Sequence, residues 1–219
     1  IYAARFMGEK GFLVTFRQVD PLFTLDLTDP TDPHIVGELK VPGFSTYLHP
    51  YGDEHLMGIG QSATDEGRIT GMQLSLFDVS NFADPILAHA LPLGHGQSEA
   101  LYNHHAFTFW ATESLLMIPM VSHEREGERS GIEFFGVDAI TGFEAHGFVG
   151  HDDLVDNKWS RVRRALVIGD NVISIGQLGM KSNAMDTLDE SARVVFPDAR
   201  ADQGRDDGNR LLPEPAPRP

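Results

Sequence analysis

Apolar and polar residues alternate along the segment Pro21–Val41. Between Leu22 and Leu27 successive side chains would point to opposite sides of the chain, which is the two-residue period of a β-strand. The next segment, Asp29–Pro33, stops that strand, because proline cannot continue a hydrogen-bonded ladder and aspartate bonds to nearby amides in turns. His34–Val41 has the pattern of a returning strand. The sequence therefore predicts two antiparallel strands joined by a tight turn.

The same pattern recurs three more times along the chain. Aspartates mark the copies, at Asp26, Asp78, Asp138 and Asp186, so the steps between copies are 52, 60 and 48 residues. Each copy divides into four short apolar segments, and in the third copy the first of these is His104–Trp110. Four strands per repeat of about 50 residues are typical of a β-propeller, in which each repeat forms one four-stranded blade. The predicted fold is all-β, a partial β-propeller of about four four-stranded blades.

The repeats also predict the boundaries of the domain. We expect the blades at residues 1–43, 44–95, 96–150 and 151–198. The remaining segment, 199–219, is polar and rich in proline, so it is predicted to be disordered or a linker. The chain begins at Ile1 and not at a methionine, and we therefore expect it to start inside a larger protein.

Composition narrows the classes of function. The chain has 17 Lys and Arg against 32 Asp and Glu, a net charge of −15, and a surface this acidic repels the phosphates of nucleic acids. It contains no cysteine, which excludes disulfides, zinc thiolates and thiol nucleophiles. No apolar run approaches the ~20 residues of a membrane span. We expect a folded protein with no nucleic acid partner and no membrane span in this chain.

Four strings of residues carry a resemblance to a known family. They are FRQVDPLF at 16–23, GELKVPGFSTYLHP at 37–50, GRITGMQLSLFDVS at 67–80 and EALYNHHAF at 99–107. Together they resemble the bacterial and archaeal family of secreted proteins with a C-terminal β-propeller domain, distantly related to WD40 repeats, over residues 1 to about 197. The DPTDP unit also resembles the short extracellular LVIVP-type propeller repeat. The resemblance implies an extracellular or cell-envelope location and further blades upstream, and it implies no reaction.

Two short motifs have a catalytic and a structural interpretation. Gly58–Ala63 fits the dinucleotide pattern G-x-G-x-x-A, but a turn and a strand follow it where that pattern needs a helix. Gly96–Ala100 is close to the G-x-S-x-G nucleophile elbow, but the last glycine is missing and Ser98 lies between repeats. We interpret the first as a strand and the second as a polar loop.

The candidate binding surface lies on the predicted first strands of the repeats, which line the axis of a propeller. These strands carry polar or amphipathic residues where the other strands are mostly apolar: Arg5, Tyr47, His49, His104, His105 and Arg163. Polar groups at the centre of an apolar fold cost free energy unless they are bonded to each other, to water or to a ligand. The alternative is that the histidines lie at strand tips and bond to backbone carbonyls.

The histidines and the acidic turns supply the candidate ligands for a metal ion. The metal candidates are His49, Asp53 and His104, although no pair has the H-E-x-x-H or H-x-H spacing of a local ligand set. Acidic turns at 26–32, 78–84 and 152–156 could hold calcium through oxygen ligands, but none has the D-x-D-x-D-G spacing. Aspartate as a turn former explains the recurrence of Asp26 and Asp78 directly. No cofactor is predicted firmly, and calcium remains an option.

Two functions from different classes fit these observations. The first is an exported binding or scaffold module, with a protein, peptide or glycan held on the propeller face. The second is a hydrolase or metal-dependent enzyme with its site at the channel mouth, built from His49, His104, His105 and carboxylates. The first is favoured because the sequence contains no complete catalytic motif, so no catalytic residue is assigned.

Overall fold

The computed structural model describes residues 1–15, 20–124, 127–155 and 160–197. Within these ranges the chain forms four antiparallel sheets, one after another along the sequence. In each sheet neighbouring strands follow one another along the chain, so every sheet is an up-and-down meander. This arrangement confirms the predicted all-β fold of consecutive four-stranded blades. The predicted tail 199–219 lies outside the described residues, as does the segment 16–19.

The first two sheets have the predicted four strands each. The first sheet contains β1 (Ala3–Met7), β2 (Lys10–Val14), β3 (Asp20–Asp26) and β4 (His34–Val41). The second sheet contains β5 (Phe44–Tyr51), β6 (His55–Ala63), β7 (Ile69–Asp78) and β8 (Ile86–Gly94). Tight turns join the first and second strands, and Gly8 takes a φ of 61° in such a turn, a conformation that glycine adopts without steric cost.

The third and fourth sheets follow the same order. The third contains β9 (Gly96–Gln97), β10 (Thr108–Trp110), β11 (Leu115–Glu124), β12 (Gly127–Asp138) and β13 (Gly142–Gly150). The fourth contains β14 (Val162–Ile168), β15 (Asn171–Gly176), β16 (Gly179–Ala184) and β17 (Glu190–Val195). Both β9 and β10 pair with the same side of the third sheet, along β11. The innermost strand of the third sheet is therefore interrupted.

The interruption makes one sequence prediction wrong. His104–Ala106 forms a 3₁₀ turn and not the start of a strand, and a second 3₁₀ turn at Glu99–Leu101 precedes it. The Ser98 hydroxyl accepts a hydrogen bond from the Ala100 amide at 3.1 Å, and the Asn103 side chain accepts one from the His105 amide at 3.2 Å. Such bonds from side chain to backbone compete with strand pairing.

The repeated aspartates all lie at the turn between the third and fourth strands of their sheets. Asp26 and Asp78 end β3 and β7, and each accepts a backbone amide two residues later at 2.8 Å. Asp138 ends β12 and accepts the Ile140 amide, and Asp186 follows β16 and accepts the Thr187 amide. These bonds confirm that the four aspartates act as turn formers.

The equivalence of the four aspartates is offset by two residues in the second half of the chain. Leu27 and Val79, which directly follow Asp26 and Asp78, donate their amides to the residue before the second strand. In the third and fourth sheets the same backbone bond is made by Val137 and Met185, which precede the aspartates. The turns and strands therefore repeat along the chain. The position of the aspartate within the turn differs by two residues, one period of the pleat, between the first two sheets and the last two.

Three apolar cores lie between successive sheets. The side chains of Phe12, Leu48 and Phe77 pack between the first and second sheets. Met57, Leu76 and Leu116, with their neighbours, pack between the second and third sheets. Met117, Phe134 and Val162, with theirs, pack between the third and fourth sheets. Each fully buried side chain of this size contributes about 1.5–3 kcal/mol, so contact between sheets is the main source of stability.

Candidate functional site

Arg5, Tyr47 and His49 lie together where the first two sheets meet. Arg5 is on β1, and the other two residues are on β5, which packs against β1. The Tyr47 hydroxyl and Nδ1 of His49 are 3.1 Å apart and share a hydrogen bond. Arg5 lies near the same hydroxyl, because it opposes the rise in the pKa of Tyr47 that burial causes. Three of the six predicted site residues are therefore brought together on neighbouring first strands.

The third sheet supplies an aromatic wall beside these residues. The ring centroid of Phe107 is 5.1 Å from that of Tyr47 and 5.3 Å from that of His49, and the ring of Phe109 is 5.8 Å from His49. The exposed ring of His104 stacks on Tyr47 at 6.3 Å with an interplanar angle of 23°. We call the surface formed by Arg5, Tyr47, His49, His104, Phe107 and Phe109 the Arg5 site.

Burial determines which side chains of this surface are charged at neutral pH. It lowers the pKa of His49 to about 4, and the nearby Arg5 charge lowers it further in the same direction. Burial also raises the pKa of Tyr47, against the smaller opposing effect of Arg5. At neutral pH His49 is therefore an uncharged imidazole and Tyr47 an uncharged phenol. Arg5 is the single charged group among the three.

The Arg5 side chain has no acidic partner within the described part of the chain. Its Nε atom is buried and makes no hydrogen bond. Arg163, in contrast, has Nε 4.0 Å from Oε2 of Glu99, and Arg193 binds Glu190 and Asp153. The chain has a net charge of −15, yet no carboxylate of the described residues forms an ion pair with this half-buried guanidinium. The Arg5 site is therefore suited to an anion.

Three other predicted residues do not join the Arg5 site. His105 is exposed in the 3₁₀ turn, with its ring 4.2 Å from that of His104. Arg163 is exposed on β14 and pairs with Glu99, and Asp53 is exposed in the turn between β5 and β6. Residues 1–15, 20–124, 127–155 and 160–197 contain no group of three or more metal-ligating side chains. His49, Asp53 and His104 are therefore not assembled as a metal centre.

A second polar group lies between the third and fourth sheets and was missed by the sequence reasoning. Lys181 is 5% exposed, and its ammonium binds the carboxylates of Asp153 and Glu190. Arg193 binds the same two acids. Burial tends to raise the pKa of Asp153, but hydrogen bonds from Lys181 and Arg193 outweigh it and hold that pKa at about 2. The alternation of β16 places Lys181 on a buried face, yet a lone lysine gives no signal of this.

His151 is a fully buried histidine near this ion network. It is 0% exposed, and its Nε2 atom is 2.7 Å from the hydroxyl of Ser174. Burial and the charge of Lys181 lower its pKa to about 4, so the ring is uncharged at neutral pH. Its Nδ1 atom is buried without a hydrogen-bond partner. His151 lies in the connection between β13 and β14 and is fully buried there.

The two short motifs have the structural roles that the sequence favoured. Gly58–Ala63 lies within β6, and a turn leads from it into β7. Ser98 is buried, and its hydroxyl donates a hydrogen bond to the Pro119 carbonyl at 2.6 Å. It therefore holds the loop in place and is shielded from any substrate. None of the helical segments in the described part of the chain has the length and apolar character needed to cross a bilayer.

Comparison with known proteins places the chain in a family. A family model described as a β-propeller domain matches residues 1–188. An uncharacterized protein of Archaeoglobus fulgidus is 46% identical over 119 residues, which are 54% of this chain and 18% of that protein. The uncharacterized protein MJ1554 of Methanocaldococcus jannaschii is 39% identical over 123 residues, 56% of this chain and 19% of that protein. The matched segments thus span about a fifth of these relatives, and the chain belongs to the β-propeller domain family.

Proposed function

We propose that this chain is a binding module and that its Arg5 site holds a carboxylate carried by a protein partner. A β-propeller domain suggests a binding or scaffold role. The observation that supports the finer proposal is the half-buried Arg5 guanidinium, whose Nε atom makes no hydrogen bond. A buried polar group without a partner is costly, and a ligand that supplies the partner gains that free energy on binding.

The groups around Arg5 favour a carboxylate next to a flat apolar group. The guanidinium can donate hydrogen bonds to an anion, and such charge-assisted bonds are stronger than neutral ones. The Tyr47 hydroxyl beside it already shares a hydrogen bond with His49. Phe107 and the stacked rings of Tyr47 and His104 offer aromatic surface beside that point. An acidic peptide segment with a neighbouring aromatic side chain combines both features. It is one of the partner types expected from the sequence.

The proposal extends to the cellular location of the protein and to the choice between a binding protein and an enzyme. The resemblance to secreted propeller proteins supports export of the intact protein to the cell envelope or beyond. Fractionation of native cells with an antibody against this chain tests that part of the proposal. Among the described residues no observation favours the alternative of a hydrolase or metal-dependent enzyme. Binding is therefore the function that the site supports best.

The test uses a small ligand that carries both recognised features. N-acetyl-L-phenylalanine has a carboxylate beside a phenyl ring, and its amide is the matched neutral control. We expect the acid to bind in isothermal titration calorimetry, and Arg5→Met to weaken binding at least tenfold, because a charge-assisted hydrogen bond contributes about 1.5–3 kcal/mol. Arg163→Met removes an exposed arginine elsewhere and should leave binding unchanged.

Two results would overturn the proposal. One is a wild-type chain that binds the acid no better than the amide. The other is an Arg5→Met variant that keeps wild-type affinity while its circular dichroism shows a folded sheet structure. Because methionine preserves the apolar stem of the side chain, loss of binding with retained folding isolates the role of the charge.

A further inference from the structure

A cleft of about 760 Å³ opens between the third and fourth sheets. It lies at the end of this interface where the turn between β10 and β11 faces the turns of the fourth sheet. Its lining residues come from both sheets: Glu113, Leu115, Phe134, His146, Asp170 and Asp186, with Asn171, Ala184, Met185 and Leu188. The volume is within the range of about 300–1,000 Å³ that is common for ligand sites.

The corresponding end of the other two interfaces is closed by direct bonds between sheets. The Tyr51 hydroxyl donates to the Val137 carbonyl at 3.0 Å across the second and third sheets. The Thr24 hydroxyl donates to the Phe82 carbonyl at 2.6 Å across the first and second sheets. Trp110 ends β10 as Tyr51 ends β5, but its ring is 37% exposed. In the described part of the chain the Thr108 hydroxyl bonds to the Ala165 carbonyl across the third interface at 3.0 Å, but no such bond closes the end that Trp110 occupies.

A single turn closes the outer side of the cleft. Leu188 has a φ of 61° and packs on Gly147, where a side-chain Cβ would come within 2.5 Å of the leucine Cδ1 atom. The Leu188 amide bonds to the Ala184 carbonyl at 2.9 Å, and the Leu188 carbonyl accepts the Asn183 side chain at 2.8 Å. This turn leaves the inner part of the interface open.

The floor and the rim of the cleft differ in character. Leu115 and Phe134 form an apolar floor and are 6% and 0% exposed. Glu113, Asp170 and Asp186 form an exposed rim of carboxylates. Across residues 1–15, 20–124, 127–155 and 160–197, no Lys or Arg pairs with any of these three acids. An apolar base below unpaired negative charge complements a group with an apolar stem and a cationic head.

We propose that this cleft binds a lysine or arginine side chain presented by an extended segment of a partner protein. The long aliphatic stem of such a side chain covers apolar surface while its charged head stays near water. Here the stem packs along Leu115 and Phe134, and the head reaches the carboxylates of the rim. The three acids do not form a cluster that would hold a metal ion in the described part of the chain, which favours an organic cation.

The rim also accounts for specificity. Like charges repel, so a segment with an acidic side chain is excluded from the cleft. The Arg5 site and the cleft therefore select groups of opposite charge, at separate places on the chain. The inference is independent of the proposed function, because none of the residues that line the cleft belongs to the Arg5 site.

The test uses a synthetic peptide, acetyl-Leu-Lys-Leu-amide, with norleucine in place of lysine as the matched control. We expect the lysine peptide to bind in isothermal titration calorimetry and the norleucine peptide to bind at least tenfold more weakly. Asp170→Asn with Asp186→Asn should weaken the lysine peptide at least tenfold, and its binding to the wild-type chain should fall as sodium chloride is raised. The exposed pair Asp53→Asn with Asp65→Asn removes the same charge elsewhere and should have little effect.

Three results would overturn the inference. The lysine peptide does not bind, the norleucine peptide binds equally well, or the Asp53 and Asp65 pair weakens binding as much as the cleft pair. The last result would mean that net charge alone attracts the peptide. Arg5→Met should leave peptide binding unchanged, so failure here and failure at the Arg5 site are distinguishable. All four aspartates are exposed, and a thermal melt checks that each double variant is folded.

Discussion

The interface between the second and third sheets and the interface between the third and fourth sheets share one strand, β11, yet they are built differently. Alternate residues of β11 face opposite ways. Leu116 and Ile118 pack against the second sheet, and Leu115 and Met117 pack against the fourth. The first of these interfaces is closed by apolar and aromatic contacts. The other combines a smaller apolar core with buried polar groups and an open cleft.

Buried polar side chains of the interface between the third and fourth sheets bond to one another. His151 bonds to Ser174, and Lys181 and Arg193 share the carboxylates of Asp153 and Glu190. The interface between the second and third sheets instead buries methionine, leucine and phenylalanine side chains, with Tyr51 and His89 bonded to backbone carbonyls at its edge. Equivalent interfaces between repeated sheets are therefore apolar in one case and partly polar in the other.

The difference shows where a propeller blade can carry function. An apolar interface that is closely packed contributes stability and leaves no cleft between its two sheets. An interface with buried polar groups and incomplete packing contributes less stability and leaves a cleft with a charged rim. If this account is correct, substitutions on opposite faces of the same strand should have unequal effects.

The largest expected effect is at Leu116, compared with Leu115 directly before it. Leu116→Ala should lower the free energy of unfolding by about 3 kcal/mol, because it leaves a cavity in a closed core. Leu115→Ala should cost less, about 2 kcal/mol, because that side chain already borders the cleft and water can enter the space. Urea unfolding followed by circular dichroism measures both values. Equal losses, or a larger loss at Leu115, would contradict the comparison.

A smaller effect is expected from acid at His151. In the unfolded chain a histidine binds its proton near pH 6.5, but in the folded protein the pKa of His151 is about 4. The unfolded state therefore takes up the proton first, and stability falls as the pH drops below 6.5. Between pH 7 and pH 5 this histidine should lower the free energy of unfolding by about 2 kcal/mol. Urea unfolding at the two pH values measures the loss.

A glutamine variant separates His151 from the other titrating groups. His151→Gln should be less stable at pH 7 and should show a smaller loss between pH 7 and pH 5 than the wild-type chain. His105→Gln, at an exposed position, is the control and should keep the wild-type loss. The carboxyl of Asp153 has a pKa of about 2, so its contribution persists through this range. An unchanged loss in His151→Gln would show that the buried imidazole is not the group that senses acid.

Much of the fold could be predicted because its signals are local. Alternation predicts strands, proline and aspartate predict turns, and their recurrence predicts repeated sheets. The predictions that were wrong concern segments in which side chains compete with strand pairing for backbone hydrogen bonds. His104 reads as part of a strand, but Ser98 and Asn103 bond to the following amides and produce 3₁₀ turns. The two-residue offset of Asp138 and Asp186 arises because either of two positions can cap the same turn.

The candidate site could be predicted only in part. Arg5, Tyr47 and His49 stand out because they are polar residues on first strands, and the structure brings them together. Phe107 and Phe109 are apolar and give no such signal, and their contact with His49 depends on how two sheets meet. The cleft has no sequence signal, since its acids are on three separate turns. Among the described residues, Trp110 makes no bond at this end of the interface that corresponds to that of Tyr51 with Val137.

Mapping both probes on the wild-type chain by amide chemical shifts tests the central claim, that two separate surfaces bind groups of opposite charge. The chain is 24.1 kDa, which suits this measurement. N-acetyl-L-phenylalanine should shift the amides of residues 45–49 and 104–109, and acetyl-Leu-Lys-Leu-amide should shift those of 113–115, 170–171 and 184–188. Shifts from both probes on one shared surface, or on neither of these sets of residues, would contradict the account.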